Sequence, residues 1–203
     1  IHFTMRQAYD LNEWTLEFNV NMSELGKGLG ELNNQALFGA WGSNGGEIYT
    51  RFGDAPIEGN RLQIKTQGTQ MNSKMLFDAK KWYHIAFVCT GTKLYLYVNG
   101  VLDNSMSLPG NATNIASPIN FGNTDYLRAD VKVSELRFWT KARTQAQVLN
   151  NMYACDPKSD GLEAYWKLNE GQGDTFADAT GHGNTGKCVA VPDWEQNVRI
   201  DGK

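Results

Sequence analysis

Lys81-Trp82-Tyr83-His84-Ile85-Ala86-Phe87-Val88-Cys89-Thr90-Gly91-Thr92-Lys93-Leu94-Tyr95-Leu96-Tyr97-Val98-Asn99-Gly100-Val101-Leu102-Asp103-Asn104-Ser105-Met106-Ser107 is the stretch that decides the fold. Trp82 to Cys89 is a strongly apolar run, broken by Thr90-Gly91-Thr92. Lys93 to Val98 and Val101 to Met106 follow, with only Asn99-Gly100 between them. Asn and Gly both tolerate the positive φ of a type I′ turn, so Asn-Gly between apolar strands is a strong hairpin signal. Three consecutive antiparallel strands are expected.

The same reading extends in both directions. Trp14 to Met22 alternates apolar and polar residues, which is the period of a strand with one buried face. Trp14, Leu16, Phe18, Val20 and Met22 are expected to face the core, with Thr15, Glu17, Asn19 and Asn21 turned away. Strands are also expected at 35–40, 48–52, 61–66, 119–122, 131–139, 162–168 and 187–191. Thr144 and Gln147 form a T-x-x-Q capping box, and Val148, Leu149, Met152 and Tyr153 repeat at helical spacing. The spacing predicts two to three helical turns, stopped by Asp156-Pro157. Trp14, Phe18, Trp82, Leu94, Leu96 and Trp166 are the expected core. The chain reads as all-β, a two-sheet antiparallel sandwich with one short helix, and residues 1–203 as a single domain.

The composition agrees. Of 203 residues, 41% are hydrophobic, 20% are charged and 21 are glycine, with a net charge of -3. Without a basic excess, nucleic acid is not an expected partner, and no apolar run reaches the ~20 residues of a membrane span. Cys89, Cys155 and Cys188 form no C-x-x-C pair. Cys89 is expected as a buried free thiol, and if any pair bridges it is Cys155 with Cys188.

Three motifs carry a family resemblance. Trp82-Tyr83-His84-Ile85-Ala86 with Leu94-Tyr95-Leu96-Tyr97-Val98-Asn99-Gly100 resembles the W-x-H-[IV]-A … L-Y-V-[ND]-G signature of laminin-G-like jelly rolls. Ser134-Glu135-Leu136-Arg137-Phe138-Trp139, just before the capped helix, is similar to that family's [DS]-E-[LV]-R-[IF]-W strand. Gly161-Leu162-Glu163-Ala164-Tyr165-Trp166 through Glu170-Gly171, with Asp178-Ala179-Thr180-Gly181-His182-Gly183-Asn184, resembles its closing segment. The resemblance implies a concanavalin A-like lectin/glucanase sandwich. It further implies a module of secreted or surface-attached bacterial proteins that handle glycans, situated extracellularly, at the cell surface or in the periplasm. Such modules sit beside other domains, so adjacent domains of a longer polypeptide are an expected partner. The family also has an apolar strand before Trp14, which only Ile1 to Met5 could supply.

The superfamily includes glucanases, whose two carboxyls must flank the scissile bond about 5–5.5 Å apart in the retaining case. No E-x-D-x-x-E stretch is present. Glu13 and Glu17 share parity beside a core tryptophan, and Glu135 has Arg137 as its same-face neighbour. No nucleophile elbow or phosphate loop occurs either. A non-catalytic carbohydrate-binding module is the preferred reading. A structural or protein-interaction module orienting a catalytic neighbour comes second, and a glycoside hydrolase third. The expected ligand is a glycan or polysaccharide. Its apolar C–H faces call for aromatic planes and its hydroxyls for polar side chains. Trp41 in a glycine-rich loop, Tyr49 near it, and Tyr126 among Asn123, Asp125 and Arg128 are the candidate binding residues. The outward row Glu17, Asn19, Glu135, Arg137, Glu163 and Lys167 is a further candidate surface. Asp174, Asp178 and Asn184 lie in one turn-rich segment whose oxygens would suit a structural calcium. Turn capping by Asp178 and Asn184 is the preferred reading, so no cofactor is expected.

Overall fold

In a computed structural model of the chain, the described residues are 1–25, 35–39, 48–54, 57–115, 119–121, 130–188 and 191–195. Their first strands are β1 (His2–Thr4), β2 (Tyr9–Leu11), β3 (Glu13–Met22), β4 (Gln35–Gly39), β5 (Tyr49–Asp54), β6 (Ile57–Thr66) and β7 (Thr69–Asn72). The decisive stretch forms β8 (Trp82–Thr90), β9 (Lys93–Val98) and β10 (Val101–Ser107). Then come β11 (Thr113–Ile115), β12 (Ile119–Phe121), β13 (Val131–Trp139), α1 (Gln145–Asn150), β14 (Leu162–Trp166), β15 (Thr175–Ala177) and β16 (Thr185–Lys187).

Two antiparallel sheets face each other. One runs β15-β16-β1-β12-β4-β5-β6-β7, the other β10-β9-β8-β3-β13-β14, and β11 and β2 form a separate ribbon. Ile1 to Met5 does supply the early strand, as β1, which pairs with both β12 and β16. One hydrophobic core joins the inner faces. Phe18 meets Phe121 edge-on at 5.5 Å, and Phe3 tilts against Trp166 at 4.5 Å. Trp14, Phe18, Leu94, Leu96 and Trp166 are buried as expected, whereas Trp82 is half-buried.

The Asn-Gly turn is formed as its chemistry requires, with Asn99 at φ 49° and Gly100 at φ 74°. Asn99 also exchanges hydrogen bonds with His84: its amide donates to the His84 carbonyl, and its Oδ1 accepts the His84 amide. A Cβ on Gly100 would lie 2.5 Å from Leu149 Cδ1 and 3.0 Å from Leu149 Cα. Gly100→Ala therefore combines an unfavourable φ with a clash against α1. It is expected to destabilise by about 1–3 kcal/mol, read as a lower denaturation midpoint; an unchanged midpoint would show that α1 gives way freely.

Four expectations are corrected. The helix spans only six residues and ends at Asn150, well before Pro157. Its capping box is present, but buried side chains capture the chain just beyond it. Arg137 donates to the carbonyls of Asn151 and Met152, and Asn19 Nδ2 donates to Met152 as well. Of its expected docking face only Val148 is buried, while Leu149 and Tyr153 stand about half exposed. Among the described residues the last strand lies at 185–187, so that of the expected strand at 187–191 only Lys187 belongs to it, and 189–190 lie outside the described residues. All three cysteines are free, and Cys155 does not bridge Cys188. Cys155 packs beside Trp139, Leu162 and Tyr165 outside the six-stranded sheet, whereas Cys188 belongs to the core between the sheets.

The fourth correction concerns the outward row. Thr15, Glu17 and Asn19 of β3 are as inaccessible as the apolar residues between them. The segment 140–155, including α1, lies across this face: Thr15 Oγ1 donates to the Lys141 carbonyl and accepts from the Arg143 amide. A bulge between Ser134 and Arg137, with Glu135 at φ 56°, reverses the alternation in β13. Val131 and Val133 pair with the core residues Met22 and Val20, but beyond the bulge Leu136 and Phe138 face the core. Arg137 is thereby set opposite Glu17.

Candidate functional site

Two clusters of functional side chains result, one closed and one open. The closed cluster centres on Glu17, fully buried on β3. Its Oε1 accepts from Arg143 Nη1 at 2.7 Å and from Trp139 Nε1 at 2.8 Å, and Arg137 Nη1 stands 3.5 Å away. His84 Nε2 lies 3.4 Å from Oε2 without forming a hydrogen bond. Arg143 stacks on Trp139 at 4.0 Å and also donates to Asn151 Oδ1. Burial by itself would raise the Glu17 carboxyl, but the charge of Arg137, helped by His84 and Arg143, holds it at about 2. Burial lowers His84. A cluster with no solvent access can hold a segment in place, but it cannot meet a ligand.

The open site is a cleft of about 920 Å³. It is lined by β13 from Val131 to Glu135, by the turn from Lys167 to Gly171 with Phe176, by the segment Pro192–Glu195, and by Trp82, the first residue of β8. Trp194 is fixed by an indole hydrogen bond to the Gly173 carbonyl and by packing on Phe176 at 5.9 Å. Glu195 pairs with Lys132 at 2.5 Å.

Two non-glycine residues of the cleft have left-handed backbone, Glu135 and Leu168 at φ 58°, and the Glu135 amide donates to the Lys167 carbonyl. Such strain persists where surrounding structure dictates it. Here Glu135 sits in the bulge of β13 and also lines the cleft. Its carboxylate accepts from the Tyr165 hydroxyl and lies 3.9 Å from Arg137. Burial raises it, against the pull of Tyr165, Arg137 and Lys167; burial and the Glu135 acceptor both push the Tyr165 phenol upward. Glu170 Oε1 accepts from the Ala177 amide, while Glu170 Oε2 and Ser134 Oγ are buried without a hydrogen-bond partner. Orphaned polar atoms of this kind are uncommon, and two of them line this one cleft.

Of the candidates drawn from sequence, Trp41, Asn123, Asp125, Tyr126 and Arg128 lie outside the described residues. Tyr49 is buried on β5, its ring lying over Gly39 and 5.7 Å from the Arg51 guanidinium. Glu17, Asn19 and Arg137 sit beneath the covering segment. Glu163 is held by Arg6 at 2.7 Å, and only Glu135 and Lys167 of that row reach the cleft. Asp178 accepts from the amides of Tyr165, Thr180 and Asn184 and from the side chains of Thr180 and Asn184, which is turn capping. Among the described residues no group of His, Cys, Asp and Glu has the makings of a metal site, and no helix is long and apolar enough to cross a membrane. Sequence reasoning missed Trp194 and Glu170. The signal for Trp194 was present: a tryptophan flanked by Asp193 and Glu195 after Pro192, as exceptional as Trp41 in its glycine-rich loop.

The fold can be compared with known proteins. Among proteins of curated function none matches the sequence significantly. A candidate carbohydrate-binding protein from Bacteroides ovatus superposes with TM-score 0.77 at 24% identity, covering 94% of this chain and 56% of that protein. The chain thus spans little more than half of that relative's length. A heptameric SAP-like pentraxin from Limulus polyphemus gives TM-score 0.60 at 16% identity, covering 93% and 89% of the two chains. The binding domain of botulinum neurotoxin serotype G gives 0.54 at 15% identity, with 70% and 37% covered. At these identities the likeness is one of fold. The Laminin_G_3 family profile, described as concanavalin A-like lectin/glucanases superfamily, matches residues 2–149, and with its two facing antiparallel sheets the chain belongs to that family.

Proposed function

We propose that this chain is a carbohydrate-binding module that does no chemistry of its own, acting as one part of a longer glycan-handling protein outside the cytoplasm. The observation that carries the reading is the cleft along β13. It sets the partly exposed indoles of Trp82 and Trp194 beside Ser134, Asn169 and several carboxylates. Stacking planes with a few convergent polar groups are what a saccharide needs. The extracellular location and the neighbouring domains rest on the resemblance of the three motifs to modules of secreted proteins. The loop residues Trp41 and Tyr126 are proposed as a second contact surface.

The test is binding to a panel of polysaccharides, with thermal stability measured on every variant. Loss of a stacking tryptophan at a hot spot costs ~2 kcal/mol or more. Trp194→Ala and Trp82→Ala are expected to weaken binding by that order at near-unchanged stability. Trp41→Ala and Tyr126→Ala report on the loops. Absence of binding to any glycan would sink the proposal. So would turnover of a polysaccharide that Glu135→Gln or Glu170→Gln abolishes, because the cleft brings these two carboxyls into one cavity. A docking role has its own support: Val101 and Leu102 of β10 and Leu149 of α1, beside Gly100, are exposed at one corner. In that reading the corner meets a neighbouring domain.

A further inference from the structure

The cleft's charges say more than that a sugar fits. Asp130, Glu135, Glu170, Asp193 and Glu195 line it, against Lys132 and Lys167. Lys132 is engaged by Glu195 at 2.5 Å, and Lys167 stands 5.7 Å from the Tyr165 ring, close enough to Glu135 to act on its carboxyl. Among the described lining residues there is no arginine, the side chain whose planar fork best matches a carboxylate or sulfate. The nearest, Arg137, does not line the cleft: its Nη1 and Nη2 donate to the Asn151 and Met152 carbonyls beside Glu17, and it reaches the cleft's charge only through Glu135, whose carboxylate lies 3.9 Å from it. Glu135 is held in place by Tyr165, so it cannot swing away from an incoming anion. Like charges brought together in a partly desolvated site are strongly disfavoured.

One of the orphaned atoms points the same way. Glu170 Oε2 can only accept while ionised, and Ser134 Oγ also offers acceptor lone pairs. What Glu170 Oε2 lacks is a donor, whereas the Ser134 hydroxyl can donate as well as accept and takes no side. Sugar hydroxyls and ammonium groups are donors; carboxylates and sulfates are not.

Resting on the carbohydrate-binding reading, we propose that the cleft along β13 selects uncharged or amino-bearing saccharides and rejects those carrying uronate or sulfate. The probes are oligosaccharides of one length: of glucose, of glucosamine, and of galacturonic acid. Binding is measured by calorimetry on the whole chain at low and at high salt. The glucose and glucosamine oligomers are expected to bind, and the galacturonate oligomer to bind roughly tenfold more weakly or worse at low salt. That gap should narrow as salt screens the repulsion. Glu170→Gln and Asp193→Asn, whose folding is checked by thermal melts, should each narrow it as well. Trp194→Ala should weaken the glucose oligomer, tying the measured binding to this cleft.

Galacturonate binding as tight as glucose binding, and lost in Trp194→Ala, would overturn the selectivity while leaving the sugar-binding reading intact. Glucose binding untouched by both Trp194→Ala and Trp82→Ala would move the site elsewhere and overturn the selectivity assigned here. Failure of every oligosaccharide and polysaccharide to bind would overturn the carbohydrate-binding reading and this inference with it.

Discussion

Glu17→Ala is expected to destabilise the fold by about 3–5 kcal/mol, among the largest effects of any single substitution in the chain. The residue has no exposed surface, and its removal strands Arg137, also fully buried, and Arg143 without their shared counter-charge. Trp139 Nε1 loses its acceptor in the same step. Urea denaturation at pH 7 measures the effect, and a midpoint within error of the unmodified chain would refute the role given to the cluster.

The same cluster sets an acid dependence whose sign can be worked out. Glu17 is depressed from its ordinary 4.5 to about 2, so its contribution is complete above 4.5 and is lost as pH falls from 4.5 towards 2. His84 is lowered from 6.5, so the unfolded chain takes up a proton that the folded one refuses. Stability should therefore begin to decline as pH drops through 6.5 and fall more steeply below 4.5. In Glu17→Ala the steeper part should be reduced.

The second large effect is expected from truncation. Ending the chain at residue 149, where the family match stops, removes β14, β15 and β16. It takes away the buried side chains of Leu162, Tyr165, Trp166 and Phe176, and the β16 partner of β1. It also deletes the Asn151 and Met152 carbonyls that Arg137 engages. The truncated chain is expected to lose cooperative unfolding and expose apolar surface. Trp166→Ala in the full chain, a milder version, should cost about 3–5 kcal/mol. Sharp thermal unfolding of the 1–149 fragment at the temperature of the full chain would show that the closing strands are dispensable.

The sheets were legible in the sequence because their signals are local. Alternation from Trp14 to Met22 and the Asn99-Gly100 turn depend on residues adjacent in the chain. The covered face was not legible for the opposite reason. Glu17 and Asn19 look like solvent-facing positions, and a segment more than a hundred residues later decides otherwise. That segment covers the sheet with only a small apolar contact, Val148 and Ala142 on Ala86, Val88 and Tyr97, and otherwise through Arg143 and backbone carbonyls. Parity in β13 failed at a single residue: the bulge at Glu135 cannot be read from Ser-Glu-Leu-Arg, since none of these residues favours φ above zero. The cleft draws on β8, β13, the turn after β14 and the residues past β16. No spacing in the chain brings Trp82, Glu135, Glu170 and Trp194 together.

The pairing of β1 with β16 has a bearing on how the molecule is made. His2 is registered against Lys187, so the eight-stranded sheet cannot be completed until the chain as far as β16 is available. Contacts this distant in sequence are entropically expensive to form and make folding slow. On the ribosome, β3, β8, β9 and β10 can associate early, whereas β1 must wait through the synthesis of some 180 residues for one of its two partners. During that interval its neighbour-seeking edge and the apolar side chain of Phe3 are uncovered, the condition in which nascent β proteins associate with one another. Soluble yield is therefore expected to depend on how quickly β15 and β16 emerge and dock.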